Sequence, residues 1–340
     1  MRLRLLWPAL LLCAAVSPAH AVIERKVEKK FPVPAAGAAL SVDTFSGAIN
    51  VTESDGDAIE ITVTEQCEAK DDKAAAPKFA DLDLALTQDK AGRVSVRADY
   101  RRKVTFTWET WPPVLLTFDI KVPRRTDADL HTRDGGITVG KLKGRLMLSN
   151  DSGKISAGET DGVVTARSRL GEIAITAATG FVDAETVSGG ILVGRTPGGA
   201  RLASSGGEIE AQQAGGDFTV RGDGSQVLVR FAYPIMRPAN VATSGGNVVA
   251  IFDQRSAAEI AAECSPLDSV TARGLAPAGV PDGATRARFA AKLNGGGPPV
   301  LIRAAGGKVL LRGDPPPADF GALPAAERTG DAKVPAAEKK

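Results

Sequence analysis

Between Gly135 and Gly224 the chain repeats a nine-residue phrase without insertion or deletion: glycine, any residue, apolar, any residue, apolar. The phrase opens at Gly135, Gly144, Gly153, Gly162, Gly171, Gly180, Gly189, Gly198, Gly207 and Gly216. Isoleucine marks every second unit, at Ile137, Ile155, Ile173, Ile191 and Ile209, so the structural period is eighteen. A fixed period of this kind predicts stacked units that bury their apolar residues only against neighbours. It carries no reactive chemistry.

In rows of eighteen, residues one period apart fall above one another. One column reads Ile137, Ile155, Ile173, Ile191, Ile209, Val227 and its companion Val139, Ala157, Ile175, Val193, Ala211, Val229. The opposite wall reads Leu146, Val164, Val182, Ala200, Phe218 and Leu148, Ala166, Ala184, Leu202, Val220. Alternation within each unit means short strands with one buried face. The fold expected is all-β, a parallel β-solenoid with 18-residue coils of two short strands, and glycine standing where a side chain would obstruct the bend. Five coils at about 4.8 Å make a rod of roughly 24 Å, with two sheets about 10 Å apart. The 43% hydrophobic composition supplies enough apolar material for that core. Thr132, Asn150, Ser168, Thr186 and Ser204 form a polar column read as outward-facing, with Arg133, Asp151 and Arg169 beside it.

Outside residues 135–230 the pattern loosens into divergent coils, at 39–134 and 240–313. Longer alternating runs such as Ile59, Ile61, Val63 and Leu116, Phe118, Ile120, Val122 predict a wider, capping N-terminal end. Tyr233-Pro234 breaks the register, and Ala257 to Cys264 reads as a short helix or strand.

Met1 to Ala21 has the make-up of a signal peptide: Arg2 and Arg4, the apolar run Leu5 to Val16, then Ala19-His20-Ala21. Cleavage leaves one domain over 22–313 and a Pro-, Ala-, Glu- and Lys-rich tail, 314–340, with the composition of disorder. The apolar run is shorter than the ~20 residues of a spanning helix, so the cleaved product is expected not to span the membrane and to be periplasmic, at the cell surface or extracellular. Cleavage also removes two of 42 basic residues, leaving 40 against 40 acidic, a balance that disfavours nucleic acid as partner. Cys67 and Cys264 remain in a compartment that permits a disulfide, and bridge and free thiols both stay open.

The repeated Ser-Gly-x-Ile of Ser46 to Ile49, Ser152 to Ile155 and Ser188 to Ile191, behind Phe118-Asp119-Ile120-Lys121-Val122-Pro123, resembles the bacterial putative-adhesin β-strand-repeat family. That family is a domain of unknown function, and the resemblance covers roughly Ala39 to Gly313. It implies surface association and offers no catalytic residues to carry over.

Other chemistries fit poorly. A calcium β-roll needs carboxylates in its turns, whereas these read Gly140-Lys141-Leu142-Lys143 and Thr176-Ala177-Ala178-Thr179, so no metal or other cofactor is expected. His131 is the single histidine after cleavage, which removes a hydrolase triad. Arg221-Gly222-Asp223 arises from turn-forming residues in a glycine-rich repeat and is assigned no function. The expectation is a non-enzymatic, adhesin-like scaffold that presents a surface to an envelope protein or glycan, with Trp108 and Trp111 as the candidate binding patch. The alternative is a glycan-active β-helix lyase or hydrolase using Asp134, Asp151, Glu172 and Glu208.

Overall fold

The structure is a computed structural model that describes residues 21–34, 37–101, 112–265, 269–275 and 285–314. The strands form two sheets, fifteen-stranded and thirteen-stranded among the described residues, and from Leu146 to Arg273 successive strands alternate between them. Strand Ile155–Asp161 lies in the first, Val164–Ser168 in the second, and Ile173–Ala178 returns to the first. Each pairs in parallel with the strand one period on, so Ile155 faces Ile173, Ile173 faces Ile191, and Ile191 faces Ile209. In the second sheet Val164, Val182, Ala200 and Phe218 form the matching row. The result is an all-β architecture of long parallel arrays and no closed barrel.

Both apolar columns join one core, with Ile137, Ile155, Ile173 and Ile209 fully shielded from water. Full burial of such a side chain contributes about 2 kcal/mol. Because each residue is covered by the coils above and below it, that gain exists only in the stack.

Gly135, Gly144, Gly153 and Gly216 have a positive φ that favours glycine, but at Gly189 and Gly207 it is the neighbouring turn, not the dihedral angle, that requires it. A Cβ on Gly207 would lie 2.0 Å from the carbonyl oxygen of Gly189, and one on Gly189 would lie 2.0 Å from that of Gly171. Neither glycine has a positive φ. Successive turns therefore stack backbone on backbone, at a spacing that has no room for a side chain.

The Thr132, Asn150, Ser168, Thr186, Ser204 column is not outward-facing, as the sequence reading has it: all five residues are buried. Strand alternation continues through them, two residues past Leu148 and its equivalents, and turns them into the corner of the core. There they satisfy turn groups that water cannot reach. Thr186 Oγ1 donates to the Gly171 carbonyl at 3.1 Å, and Ser204 Oγ donates to that of Gly189 at 2.9 Å while accepting from Gly207 N at 3.1 Å.

The ends depart from the repeat. Strand Ala58–Ala69 runs antiparallel to both Ala21–Pro32 and Leu115–Pro123, and Leu82–Gln88 antiparallel to Val94–Tyr100. Helix Asp72–Ala80 packs beside these strands through Ala75 and Phe79, capped by Asp71, whose carboxylate accepts from Ala74 N at 2.8 Å. The edge strand Ala21–Pro32 carries Glu24, Arg25, Lys26, Glu28, Lys29 and Lys30, a charge density that discourages a further strand from adding there. After Phe231 three extra residues enter the repeat, so Phe218 faces Ala239 rather than a residue eighteen positions on. The stretch after Ala257 is strand Ala258–Ser265, which begins the C-terminal end and pairs antiparallel with Arg288–Leu293.

Candidate functional site

Trp108 and Trp111 lie outside the described residues, as do residues 1–20, which hold most of the segment read from sequence as a signal peptide. The chain flanking the tryptophans is tied together where the Tyr100 hydroxyl donates to the Val114 carbonyl at 2.7 Å. Cys67 and Cys264 are not in a disulfide. They belong to strands near opposite ends of the stack, roughly ten strand spacings or about 45 Å apart, far beyond disulfide reach. Burial pushes the Cys67 thiol above its ordinary value.

The four carboxylates do not converge. Asp134 accepts from Ser152 Oγ at 2.7 Å, and Glu172 pairs with Lys154 at 2.8 Å. Glu172 and Glu208 are separated by the strand entry at Gly190, since Ile173 N bonds the Gly190 carbonyl and Ile191 N bonds that of Glu208. This places their backbones about 10 Å apart. Among the described residues no group of three or more His, Cys, Asp or Glu side chains could hold a metal ion. His131 stands half-buried on the second sheet between Asp43 and Ser149 of the neighbouring strands.

Much of the remaining surface charge is paired across the period. Lys141 meets Glu159 at 3.1 Å, Lys143 meets Asp161 at 2.8 Å, and Lys154 meets Glu172, each pair eighteen residues apart. Exposed pairs of this kind contribute little stability individually, but they neutralise the faces they lie on.

On the outer face of the second sheet one row runs Arg93, Ala39, Asp127, Arg145, followed by Val163 and Phe181 at the next two strand entries. Beside it at the corner runs Gly37, Arg125, Lys143, Asp161. Ala39 and Gly37 are the small members of these rows, and over them lies an open cleft of 510 Å³ bounded by Arg93 on one side and by Arg125 and Lys143 on the other. Its parts come from five separate stretches of chain, which is why no local motif announces it.

The frame of the cleft is fixed. Arg93 ends a hairpin turn in which Asp89 Oδ1 accepts from both Ala91 N and Arg93 N at 2.9 Å. The Arg125 carbonyl accepts from Ala38 N at 2.9 Å. Both carboxylates are occupied: Asp127 Oδ1 accepts from Arg145 N at 2.8 Å, and Asp161 holds Lys143 and the Thr179 hydroxyl. The Lys143 ammonium, then the Thr179 hydroxyl, hold the Asp161 carboxyl below its ordinary range. Among the described residues Arg93 and Arg125 have no carboxylate partner.

Further along the same face Val163 and Phe181 are exposed at adjacent strand entries, since Val164 N bonds the Phe181 carbonyl, and Met147 is exposed on the next strand opposite Thr165, diagonal to Val163. At the C-terminal end a hollow of 590 Å³ over Ala261, Ala290, Pro299 and Leu301 is mostly apolar, and its charges, Glu259 and Lys292, pair with each other at 2.9 Å.

No helix among the described residues is long and apolar enough to cross a membrane. No family model and no curated protein matches the chain. Among solved structures, a putative adhesin from Bacteroides fragilis is similar at 11% identity, over 86% of this chain and 98% of that one, with a TM-score of 0.36. A putative adhesin from Parabacteroides merdae is similar at 9% identity, over 84% and 96%, with a TM-score of 0.34. A putative cell adhesion protein from Clostridium sporogenes is similar at 10% identity, over 85% and 100%, with a TM-score of 0.21.

Proposed function

We propose that the chain is an exported, non-enzymatic β-solenoid of 18-residue coils, one domain over 22–313, that works in the cell envelope as an adhesin-like scaffold. Its task is to present a flat face to an envelope protein or glycan. The observation that carries this reading is the outer face of the second sheet, where Met147, Val163 and Phe181 form an exposed apolar strip beside the paired charges of Arg167, Asp183 and Glu185. Apolar side chains adjacent on a rigid sheet keep their water contact at a cost that a partner relieves. The separation of Glu172 from Glu208 and the engagement of Asp134 and Glu172 by neighbours favour this over hydrolysis along the sheet.

The test is capture of envelope components by the mature protein, with glycan turnover measured in parallel. The reading expects reproducible capture of one component, no turnover, and loss of capture by a Val163→Glu/Phe181→Glu variant that still folds. Turnover abolished by Glu172→Gln would overturn it, as would capture indifferent to the changes at Val163 and Phe181.

A further inference from the structure

We infer that the cleft between Arg93 and Arg125 binds an acidic sugar unit of a polysaccharide, one carrying carboxylate or sulfate groups. The inference deepens the scaffold reading and rests on it for the setting, an envelope in which such polymers occur.

The charge argument comes first. Arg93, Arg125 and Lys143 line the cleft against Asp127 and Asp161, and the two carboxylates already have donors of their own. Arg93 and Arg125 therefore border a shared space without a carboxylate partner among the described residues, three cations against two carboxylates, and Arg124 adds positive charge close to Asp161. Elsewhere in the regular coils the same period puts a carboxylate opposite a lysine; here it puts Ala39 and Gly37 in the gap. Guanidinium forks match oxyanions of carboxylate or sulfate geometry in paired hydrogen bonds, so the ligand's recognised group is such an oxyanion.

Shape narrows the class further. The strands carrying Arg93 and Arg125 lie on either side of the Ala38–Ser46 strand, about 9.6 Å apart, so their side chains reach one sugar-sized unit from both flanks. The floor of Gly37, Ala38, Ala39, Gly92 and Gly144 lets a chain run through an open groove rather than end in a closed pocket. A volume of 510 Å³ exceeds what a lone anion fills. Among the described residues no aromatic side chain lines it, so a neutral sugar has no platform there to stack on and the acidic group decides binding.

The experiment titrates the mature full-length protein with polygalacturonate and heparin decasaccharides as carboxylate and sulfate probes. Neutral dextran oligomers and phosphatidylglycerol vesicles serve as comparisons. Both acidic oligosaccharides are expected to bind, weakening as salt rises, and dextran is not. Arg93→Ala and Arg125→Ala should each lower affinity about tenfold, and Ala39→Glu, which fills the gap with the wrong charge, should abolish binding. Arg201→Ala/Arg221→Ala removes twice the charge of either cleft variant from the same face outside the cleft and should leave affinity nearly unchanged. Equal losses in the cleft and control variants would overturn the inference, as would tighter binding of vesicles or binding of neither acidic probe. If acidic probes fail while envelope capture through the Val163 and Phe181 strip persists, the cleft assignment is wrong and the scaffold reading stands; if that capture is also absent, the scaffold reading falls with it.

Discussion

Gly206 and Gly207 are neighbours in one turn, yet the structure assigns them opposite tolerance. An alanine Cβ at Gly207 would lie 2.0 Å from the Gly189 carbonyl oxygen, 2.2 Å from its carbon and 2.5 Å from Gly190 N, whereas at Gly206 the nearest atom is 3.8 Å away. Reaching the 3.0 Å that Cβ contacts need means moving the turn by 3.0 − 2.0 = 1.0 Å. That movement breaks into the Ser204 bridge, which holds Gly207 N at 3.1 Å and the Gly189 carbonyl at 2.9 Å. Two weakened buried hydrogen bonds cost about 1 kcal/mol each, and backbone strain adds about 1–2 kcal/mol. The lower entropy of the unfolded alanine chain returns about 0.5 kcal/mol. Gly207→Ala should therefore lose roughly 2–4 kcal/mol, while Gly206→Ala stays within about 0.5 kcal/mol of the parent. Urea unfolding followed by far-UV circular dichroism reads the difference as a shift in midpoint at constant slope. Equal midpoints for the two variants would refute the backbone-on-backbone account of the glycine column.

Ile173→Asp places a charge in a fully buried column and should abolish the cooperative transition, while Ile173→Val should cost only about 1 kcal/mol. Ser204→Ala strands the Gly189 carbonyl and Gly207 N and should cost about 1–3 kcal/mol in the same urea assay. The Arg255 guanidinium, bonded to Asp253 at 2.7 and 2.9 Å, holds that carboxyl below 3.8, so its contribution to stability is present above pH 3.8 and lost as pH falls through the lower folded value. Arg255→Ala should move the Asp253 carboxyl titration, followed by carbon NMR, back up toward 3.8. Mass spectrometry after alkylation of denatured, unreduced protein should find both Cys67 and Cys264 modified; an unmodified pair would mean a bridge.

The period, the inward columns and the parallel register were legible because an 18-residue spacing maps directly onto Ile155, Ile173 and Ile191 sitting opposite one another. The corner ladder was misjudged on polarity: Thr186 and Ser204 look like surface residues, but their parity along the strand is that of Ala184 and Leu202. Strand direction at the ends was hidden, since alternation reads the same for a parallel and an antiparallel neighbour. Helix Asp72–Ala80 is short and holds Pro77, so the capping Asp71 was its main local sign. The cleft required knowing that Gly37, Arg93, Arg125 and Lys143 become neighbours, which depends on where the Ala38–Ser46 strand inserts between two later ones.

The central claim is that eighteen residues make one interchangeable layer, and deletion tests it most directly. Removing residues 173–190 joins Glu172 to Ile191 and excises one strand from each sheet, leaving every remaining column in register. Removing residues 173–181 excises a single nine-residue phrase and sends each following strand to the opposite sheet. Thermal unfolding by circular dichroism should show a cooperative transition for the eighteen-residue deletion and none for the nine-residue one; equal survival of both, or loss of the transition only in the longer deletion, would contradict the account.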